Sequence, residues 1–166
     1  MNNSDVDTLD NIPVGLTVMV IDDSKTIRRT AEILLSEQGC KVVLANDGFE
    51  SLAIIANDRP DMIFVDIMMP RLDGYQTCAL IKGHPEYRDI PVVMLSSKDS
   101  IFDMARGRLA GSESYITKPF TRNDLMTAIQ EHVKTLDNKK EDESKKDNDD
   151  GMDFELDDFE ELEMTL

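Results

Sequence analysis

Five short runs of strand-forming residues, separated by helical patterns, most constrain what this chain can fold into. Three of the first four are nearly continuous apolar runs, which is typical of strands whose sheet is covered by helices on both faces. The fifth is short and polar, as an edge strand tends to be. The five runs are Thr17–Ile21, Lys41–Ala45, Met62–Val65, Pro91–Leu95 and Ser114–Thr117.

Apolar stripes at helical spacing follow each run. Ser24 is a candidate N-cap for the first stripe, and the last starts from Thr121 and extends to Leu136. Asp-Gly pairs at 47–48 and 73–74 would suggest hairpins, but helical stripes follow both pairs, so turns from loop to helix fit better. The alternation predicts an α/β fold, a doubly wound five-stranded parallel sheet with right-handed crossovers.

The negative charge of the chain is concentrated at its C-terminal end. The whole chain carries a formal net charge of −16. Residues 137–166 hold 14 Asp and Glu against four Lys, and they therefore carry −10 of that total. A chain this acidic argues against nucleic acid as a ligand, because phosphate binding needs clustered Lys and Arg.

Composition also bears on the compartment. No stretch approaches the roughly 20 apolar residues of a membrane span. The first 16 residues lack the basic start and the apolar core of a signal peptide. Cys40 and Cys78 have no metal-ligand spacing, so we expect buried, reduced thiols. Together these features predict a cytoplasmic protein with no membrane insertion.

We expect three segments: a flexible N-terminus over 1–15, one domain over 16–136, and an acidic tail over 137–166. The first half of the tail has the composition of a disordered linker. Residues 152–166 place apolar side chains on one helical face, which predicts a short amphipathic helix. Two interpretations stay open, a solubilising acidic terminus or a short motif that binds a protein partner.

Polar side chains follow four of the predicted strands. Asp22 and Asp23 follow the first, Asp66 the third, Ser96 the fourth and Lys118 the fifth. Taken alone, each has an ordinary explanation as a helix cap or a loop residue. Because ligands bind outside the carboxyl ends of parallel strands, the combination favours a functional site at that edge of the sheet.

Three carboxylates at one edge require a cation among them. Two carboxylates about 4 Å apart repel by roughly 4 kcal/mol at an effective dielectric of 20. Oxygen ligands favour Mg²⁺, which takes one or two carboxylates and keeps waters for phosphate oxygens. A carboxylate beside such an ion can attack a phosphoryl group, whose oxygens Lys118 would stabilise and to which Ser96 could donate a hydrogen bond.

Four motifs at these strand ends resemble those of the response-regulator receiver domain family. They occur in the family's order within about residues 16–136, as MVIDDS (19–24), FVDIMMPRLDG (64–74), VVMLSS (92–97) and YITKPF (115–120). The resemblance implies the flavodoxin-like receiver fold with strand order 2-1-3-4-5. It also implies a phospho-accepting signalling switch rather than an enzyme with turnover on a separate substrate.

The resemblance implies a role for each acid. Asp66 would be the phosphoacceptor. Asp23 would bind Mg²⁺ directly, and Asp22 would help through the acid pair and water. The backbone carbonyl of Met68 would complete the protein ligands of the metal.

The resemblance also implies how the switch works. Lys118 would contact the phosphoryl group, and the Lys118–Pro119 bond would be cis. Ser96 would move towards the phosphoryl group and let Tyr115 swing inward, which changes an output surface formed by helix four, strand five and helix five. The side chains at Met68 and Lys98 would tune the lifetime of the phosphoryl group.

The amino-acid sequences of residues 21–35 and 64–82 are most similar to those of receivers in chemosensory pathways that control twitching motility by type IV pili. A CheA-like histidine kinase would donate the phosphoryl group in this two-component phosphorelay. A downstream pilus-motor protein, or a regulator of motility or of a second messenger, would be the target.

Three other interpretations compete with this one. A flavin binder of the same fold would need a phosphate-cradling loop where Asp22 and Asp23 stand. A phosphatase with an aspartyl nucleophile would need a second Asp where Met68 stands. A degenerate receiver that acts only as a scaffold is the third, and the intact set of acids argues against it.

Overall fold

The computed structural model describes residues 12–97 and 101–132, and for residues 101–103 it describes the backbone alone. Strands and helices alternate along the described chain. The strands are β1 (Thr17–Ile21), β2 (Lys41–Ala45), β3 (Met62–Asp66), β4 (Val92–Ser96) and β5 (Ser114–Thr117). The helices are α1 (Lys25–Ser36), α2 (Gly48–Asn57), α3 (Gly74–Gly83), α4 (Ile101–Ala110) and α5 (122–132).

The five strands form one parallel sheet in the order β2-β1-β3-β4-β5. This confirms the predicted fold and strand order. The strand order reverses between β1 and β3, where Ile21 pairs with Val65. Asp22 and Asp66 follow these paired residues, so the register alone brings the two carboxylates to neighbouring positions.

Burial explains why the strand sequences are nearly continuous in apolar residues. All five residues of β3 and of β4 are buried. Met19 and Ile63 belong to one apolar cluster with residues of α2 and α3. Val20 and Phe64, the next residues along, are also 0% exposed and project to the other face of the sheet. Each such side chain contributes about 1.5–3 kcal/mol on burial.

The two edge strands are less buried than the central ones. In β2, only Ala45 is fully buried, and every residue of β5 is half-buried. The prediction that the fifth strand lies at an edge is therefore confirmed. Both cysteines are buried free thiols, as predicted, and burial raises the pKa of Cys78 to about 12.

Side-chain caps fix where the helices begin. Ser24 accepts a hydrogen bond from the N–H of Ile27 at 3.3 Å, which starts α1. Asp47 and Asp73 cap α2 and α3, so the two Asp-Gly pairs are loop-to-helix turns, as predicted. At the start of α5, Thr121 accepts from the N–H of Asp124 at 3.2 Å.

Several predictions fall on residues outside the described ranges. These are the fifth helix beyond residue 132, the acidic tail over 137–166 with its helix at 152–166, most of the N-terminal segment 1–15, and Lys98. Within the described residues, no helix has the length and hydropathy that a membrane span requires.

The beginning of α3 lies directly against the end of β3. Gly74 donates its N–H to the carbonyl of Ile67 at 2.9 Å. A methyl group on Gly74 would overlap the carbonyl oxygen of Asp66 and lie 2.7 Å from the Cα of Ile67. Both are backbone atoms, so a side chain at this position would displace the strand end that carries Asp66.

We expect Gly74→Ala to lower the free energy of unfolding by about 1–3 kcal/mol, because the added methyl overpacks a rigid contact. Gly83 ends the same helix, and a methyl there meets nothing within 4 Å. Gly83→Ala should therefore be neutral or stabilise by up to about 1 kcal/mol. Urea denaturation measures both variants, and equal stabilities would contradict the close contact at Gly74.

Candidate functional site

Three carboxylates meet at the carboxyl ends of β1 and β3. One oxygen from each of Asp22, Asp23 and Asp66 lies within 4.8 Å of the others. Asp22 and Asp66 are 0% and 5% exposed, whereas Asp23 is open to solvent. The cluster predicted from the strand ends is therefore present.

Hydrogen bonds fix the position of Asp22. Its backbone N–H donates to the carbonyl of Ala45 at 3.2 Å, and its Oδ1 accepts from the N–H of Ser24 at 2.9 Å. The guanidinium of Arg28 donates to its carbonyl oxygen at 2.7 Å. The backbone of Asp22 is thus held by Ala45 and Arg28, and its carboxylate is oriented by the N–H of Ser24.

Arg28 is a residue of this site that the sequence pattern did not predict. Lys25, Arg28 and Arg29 lie at the start of α1, which has no acidic residue in its first turn. Cations at a helix N-terminus oppose the helix dipole. Basic residues at the start of a helix therefore indicate that an acceptor lies nearby. For Arg28 this acceptor is the backbone carbonyl of Asp22.

Lys118 provides the positive charge of the cluster. Its Nζ lies 2.9 Å from Oδ2 of Asp22 and 3.0 Å from Oδ1 of Asp66. Its side chain is 17% exposed. Its backbone N–H donates to the carbonyl of Ser96 at 2.6 Å, and its bond to Pro119 is cis, as predicted.

Burial and charge shift two pKa values in this cluster. Burial raises the pKa of Asp66, and the charge of Asp22 adds to that rise, although the hydrogen bond from Lys118 acts against it. For Lys118, burial acts to lower the pKa. Its hydrogen bonds and ion pairs with Asp22 and Asp66 together outweigh burial, so the pKa of Lys118 is raised. Lys118 is therefore a stable ammonium, and Asp66 carries a disfavoured negative charge.

The other predicted residues lie at differing distances from the cluster. Ser96 ends β4 and is 1% exposed. Met68 is 72% exposed, and its backbone N–H donates to the carboxylate of Asp66. Tyr115 pairs with Met94 in the sheet, two residues before the strand end, and packs against the apolar core. Tyr115 is thus set back from the acids.

The donor set fits a small, hard cation. The cluster offers carboxylate oxygens alone, and two of the three carboxylates are held in place by the fold. Mg²⁺ is bound through such ligands together with water, and the exposure of Asp23 leaves one side open to water. Asp22, Asp23 and Asp66 are the residues that could hold the ion.

Comparison with known proteins agrees with this geometry. The family model described as the response regulator receiver domain matches residues 18–130. The chain belongs to this receiver family. As a receiver it is a signalling switch that implies a histidine kinase upstream and an effector downstream, and receivers typically bind Mg²⁺ at such an acidic cluster. The flavin-binder and phosphatase interpretations are thereby set aside.

Two relatives differ in their sequence identity to this receiver and in how much of their own length it covers. Protein PilG of Pseudomonas aeruginosa is 64% identical over 119 residues, which is 72% of this chain and 88% of that protein. Response regulator MprA of Mycobacterium tuberculosis is 37% identical over 117 residues, 70% of this chain but 50% of the relative. The chain thus resembles a PilG-like response regulator and spans about half the length of MprA.

Solved structures of other receivers have the same fold. The chemotaxis protein CheY4 of Vibrio cholerae matches with a TM-score of 0.68 at 29% identity, over 71% of this chain and 98% of that one. The receiver domain of Francisella response regulator 1452 matches with a TM-score of 0.67 at 32% identity, over 74% of this chain and 99% of that one.

Removing the ammonium of Lys118, which Asp22 and Asp66 share, should destabilise the receiver strongly. We expect Lys118→Ala to cost up to about 3–5 kcal/mol in chelator, because it leaves two buried carboxylates unpaired. Lys41→Ala is the matched control, since its ion pair with Asp58 is 60% and 40% exposed and such pairs contribute about 0–1 kcal/mol. Thermal unfolding with and without Mg²⁺ measures both variants. An equal loss of stability in the two variants would contradict the role of Lys118. Adding Mg²⁺ should restore part of the stability that Lys118→Ala loses.

The raised pKa of Asp66 predicts that neutralising this residue stabilises the receiver. Asp66→Asn keeps an oxygen that accepts from Lys118 but removes a disfavoured charge, so in chelator at neutral pH the melting temperature should rise. The gain should vanish as the pH falls below the ordinary value of 3.8, where the native carboxyl is neutral in both states. A melting temperature lowered at neutral pH would contradict the prediction.

Proposed function

We propose that this receiver accepts a phosphoryl group on Asp66 from the phosphohistidine of a histidine kinase and thereby switches a protein-binding surface. The observation that carries the proposal is the position of the Asp66 carboxylate. It lies 3.0 Å from Lys118 Nζ and within the cluster formed with Asp22 and Asp23. A nucleophile, a cation for the phosphoryl oxygens and ligands for a metal thus share one small region.

Asp22, Asp23, Asp66 and the backbone carbonyl of Met68 would hold Mg²⁺. When bound, the ion neutralises charge on the phosphoryl oxygens and orients the group for attack. The local fold supports this assignment, because hydrogen bonds to Asp22 already fix one side of the cluster.

The chain's own side chains would carry out the transfer. An oxygen of Asp66 forms the new bond to phosphorus, and the bond from phosphorus to the histidine nitrogen breaks with its electron pair going to that nitrogen. Lys118, which contacts Asp22 and Asp66 before transfer, would turn to the phosphoryl oxygens. Ser96 would donate its hydroxyl hydrogen to another of them. Both interactions stabilise charge where it develops.

The added phosphoryl group would then change the position of Tyr115 on β5, the strand that pairs with β4. Phosphorylation brings roughly −1.5 to −2 charges and several acceptor oxygens. Movement of Ser96 towards them would leave room for Tyr115, which lies on β5 beside the same strand. The inward position of Tyr115 would favour a second conformation of the surface formed by α4, β5 and α5. That surface is the proposed output site.

The likeness to Protein PilG supports a more specific setting. We place the chain in a cytoplasmic chemosensory pathway that controls twitching motility by type IV pili. A CheA-like histidine kinase would be the donor, and a pilus-motor protein or another regulator of motility would be the target. The chain would catalyse its own phosphorylation and dephosphorylation and no turnover of a separate substrate.

The proposal predicts that Asp66→Asn abolishes labelling by a small acyl phosphate in the presence of Mg²⁺, because the nucleophile is lost. Asp58→Asn is the control, since Asp58 forms a surface ion pair with Lys41 and should be labelled like the native chain. Intact-mass spectrometry follows the phosphoryl adduct. Stoichiometric labelling of Asp66→Asn at another residue would refute the acceptor, and equal labelling in excess chelator would refute the metal.

A further inference from the structure

The loop between β3 and α3 would supply one ligand of the proposed metal site, the backbone carbonyl of Met68. The N–H of the same residue donates to the carboxylate of Asp66. The side chain of Met68 is 72% exposed, so its own packing does little to fix the loop. Its carbonyl belongs to the peptide that joins Met68 to Met69. The direction of this carbonyl therefore follows the path that the loop takes after Met68.

That path contains a sharp turn centred on Arg71. The N–H of Leu72 donates to the carbonyl of Pro70 at 2.8 Å, which closes a three-residue turn. The φ of Arg71 is 68°, the one positive value among the non-glycine residues that the structure describes. A turn of this kind with a positive φ is rare and strained. Such strain persists only where the surrounding structure holds it, and it is concentrated at functional sites.

The side chain of Arg71 connects this turn to the start of α2. Its Nη2 lies 2.9 Å from Oδ2 of Asp47, and its guanidinium carbon lies 5.7 Å from the centroid of the Phe49 ring. Oδ1 of Asp47 accepts from the N–H of Glu50 at 2.8 Å. The carboxylate that Arg71 contacts is therefore held by the helix that it caps.

Leu72 packs against the same helix start. A methyl group on Gly48 would lie 2.7 Å from Cδ2 of Leu72 and would overlap the hydroxyl of Thr77. The turn and the N-terminus of α2 are thus in direct contact, and the pair of Arg71 with Asp47 is the ionic part of that contact.

We propose that Arg71 is a positioning residue for Mg²⁺ binding. Its ion pair with Asp47 holds the strained turn, and the turn sets the path of the loop that carries the Met68 carbonyl. The inference rests on the proposed function, in which this carbonyl and the three acids hold the ion. Arg71 acts through the backbone of the loop and not by contact with the ion. Without the ion pair the turn would relax, and ordering the loop would become a cost of binding.

Charge alone predicts a different result, which makes a sharp test possible. Arg71→Gln removes a positive charge from a domain that binds a cation, so by charge alone it would strengthen Mg²⁺ binding. By the same argument, Asp47→Asn would weaken it. Positioning predicts that both variants weaken binding, because each breaks the same ion pair. Asparagine is also a good N-cap, so Asp47→Asn keeps the cap of α2.

Isothermal titration calorimetry of the full chain with MgCl₂ measures the Kd of the native chain, Arg71→Gln, Arg71→Lys, Asp47→Asn and the double variant Arg71→Gln with Asp47→Asn. Asp66→Asn is the reference for ions bound elsewhere on the acidic chain. Lys41→Gln and Asp58→Asn are the matched controls, since they break another exposed ion pair with the same changes of charge. Lys41 begins β2, at the opposite end of that strand from the acids. Urea denaturation in chelator measures the stability of each variant.

We expect the Kd to rise about two- to fivefold in Arg71→Gln and in Asp47→Asn, the range that an exposed ion pair can contribute. The double variant should bind no more weakly than either single variant, because both changes remove one interaction. Arg71→Lys keeps a cation and should restore part of the affinity. In the controls, Lys41→Gln should not weaken binding.

Two outcomes would overturn the inference. Tighter binding by Arg71→Gln with weaker binding by Asp47→Asn would show that charge alone acts. An unchanged Kd in both variants, with a loss of stability in chelator, would show that the ion pair serves only the fold. Failure of the proposed metal site is distinguishable from both, because the native chain would then bind Mg²⁺ no better than Asp66→Asn.

Discussion

Two buried carboxylates share one ammonium, and the rest of the site depends on this interaction. Lys118 lies 2.9 Å from Asp22 and 3.0 Å from Asp66 in a region almost closed to solvent. The ammonium offsets part of the penalty for burying the charges, yet the pKa of Asp66 is raised even so. The site therefore holds a carboxylate that gains from a further cation, and the exposed Asp23 marks the side from which one can enter.

The sheet makes this interaction possible through its strand order. Asp22 and Asp66 follow paired residues of neighbouring strands. Lys118 follows β5, which is two strands from β3 and three from β1. With strands about 4.8 Å apart, that separation is roughly 10–14 Å. The backbone N–H of Lys118 is bonded to the carbonyl of Ser96 at the end of β4, and from there the long lysine side chain reaches both carboxylates.

The sequence predicted the parallel sheet and the residues of the cluster because each depends on local pattern or on topology, whereas the strand order was implied by the resemblance to the receiver family. Continuous apolar strands such as Met62–Asp66 require cover on both faces, and parallel strands bring Asp22, Asp66 and Lys118 to one edge. Sequence pattern did not predict that Arg28 donates to the carbonyl of Asp22. Sequence pattern also did not predict that Arg106 stacks on Tyr75, because the two residues lie on different helices. Neither contact follows from spacing along the chain.

The sequence by itself determined which groups reach the carboxyl edge of the sheet and what charge they carry. Its apolar runs and helical stripes predict buried strands that alternate with helices, and the polar groups follow those strands. The tertiary structure alone decided which of those groups touch. It placed Lys118 between two acids and set Tyr115 back from them. It also formed the cavity between α3 and α4 beside Met68. Distances between side chains depend on helix packing and loop paths, and these follow from the sum of many weak contacts rather than from any local pattern.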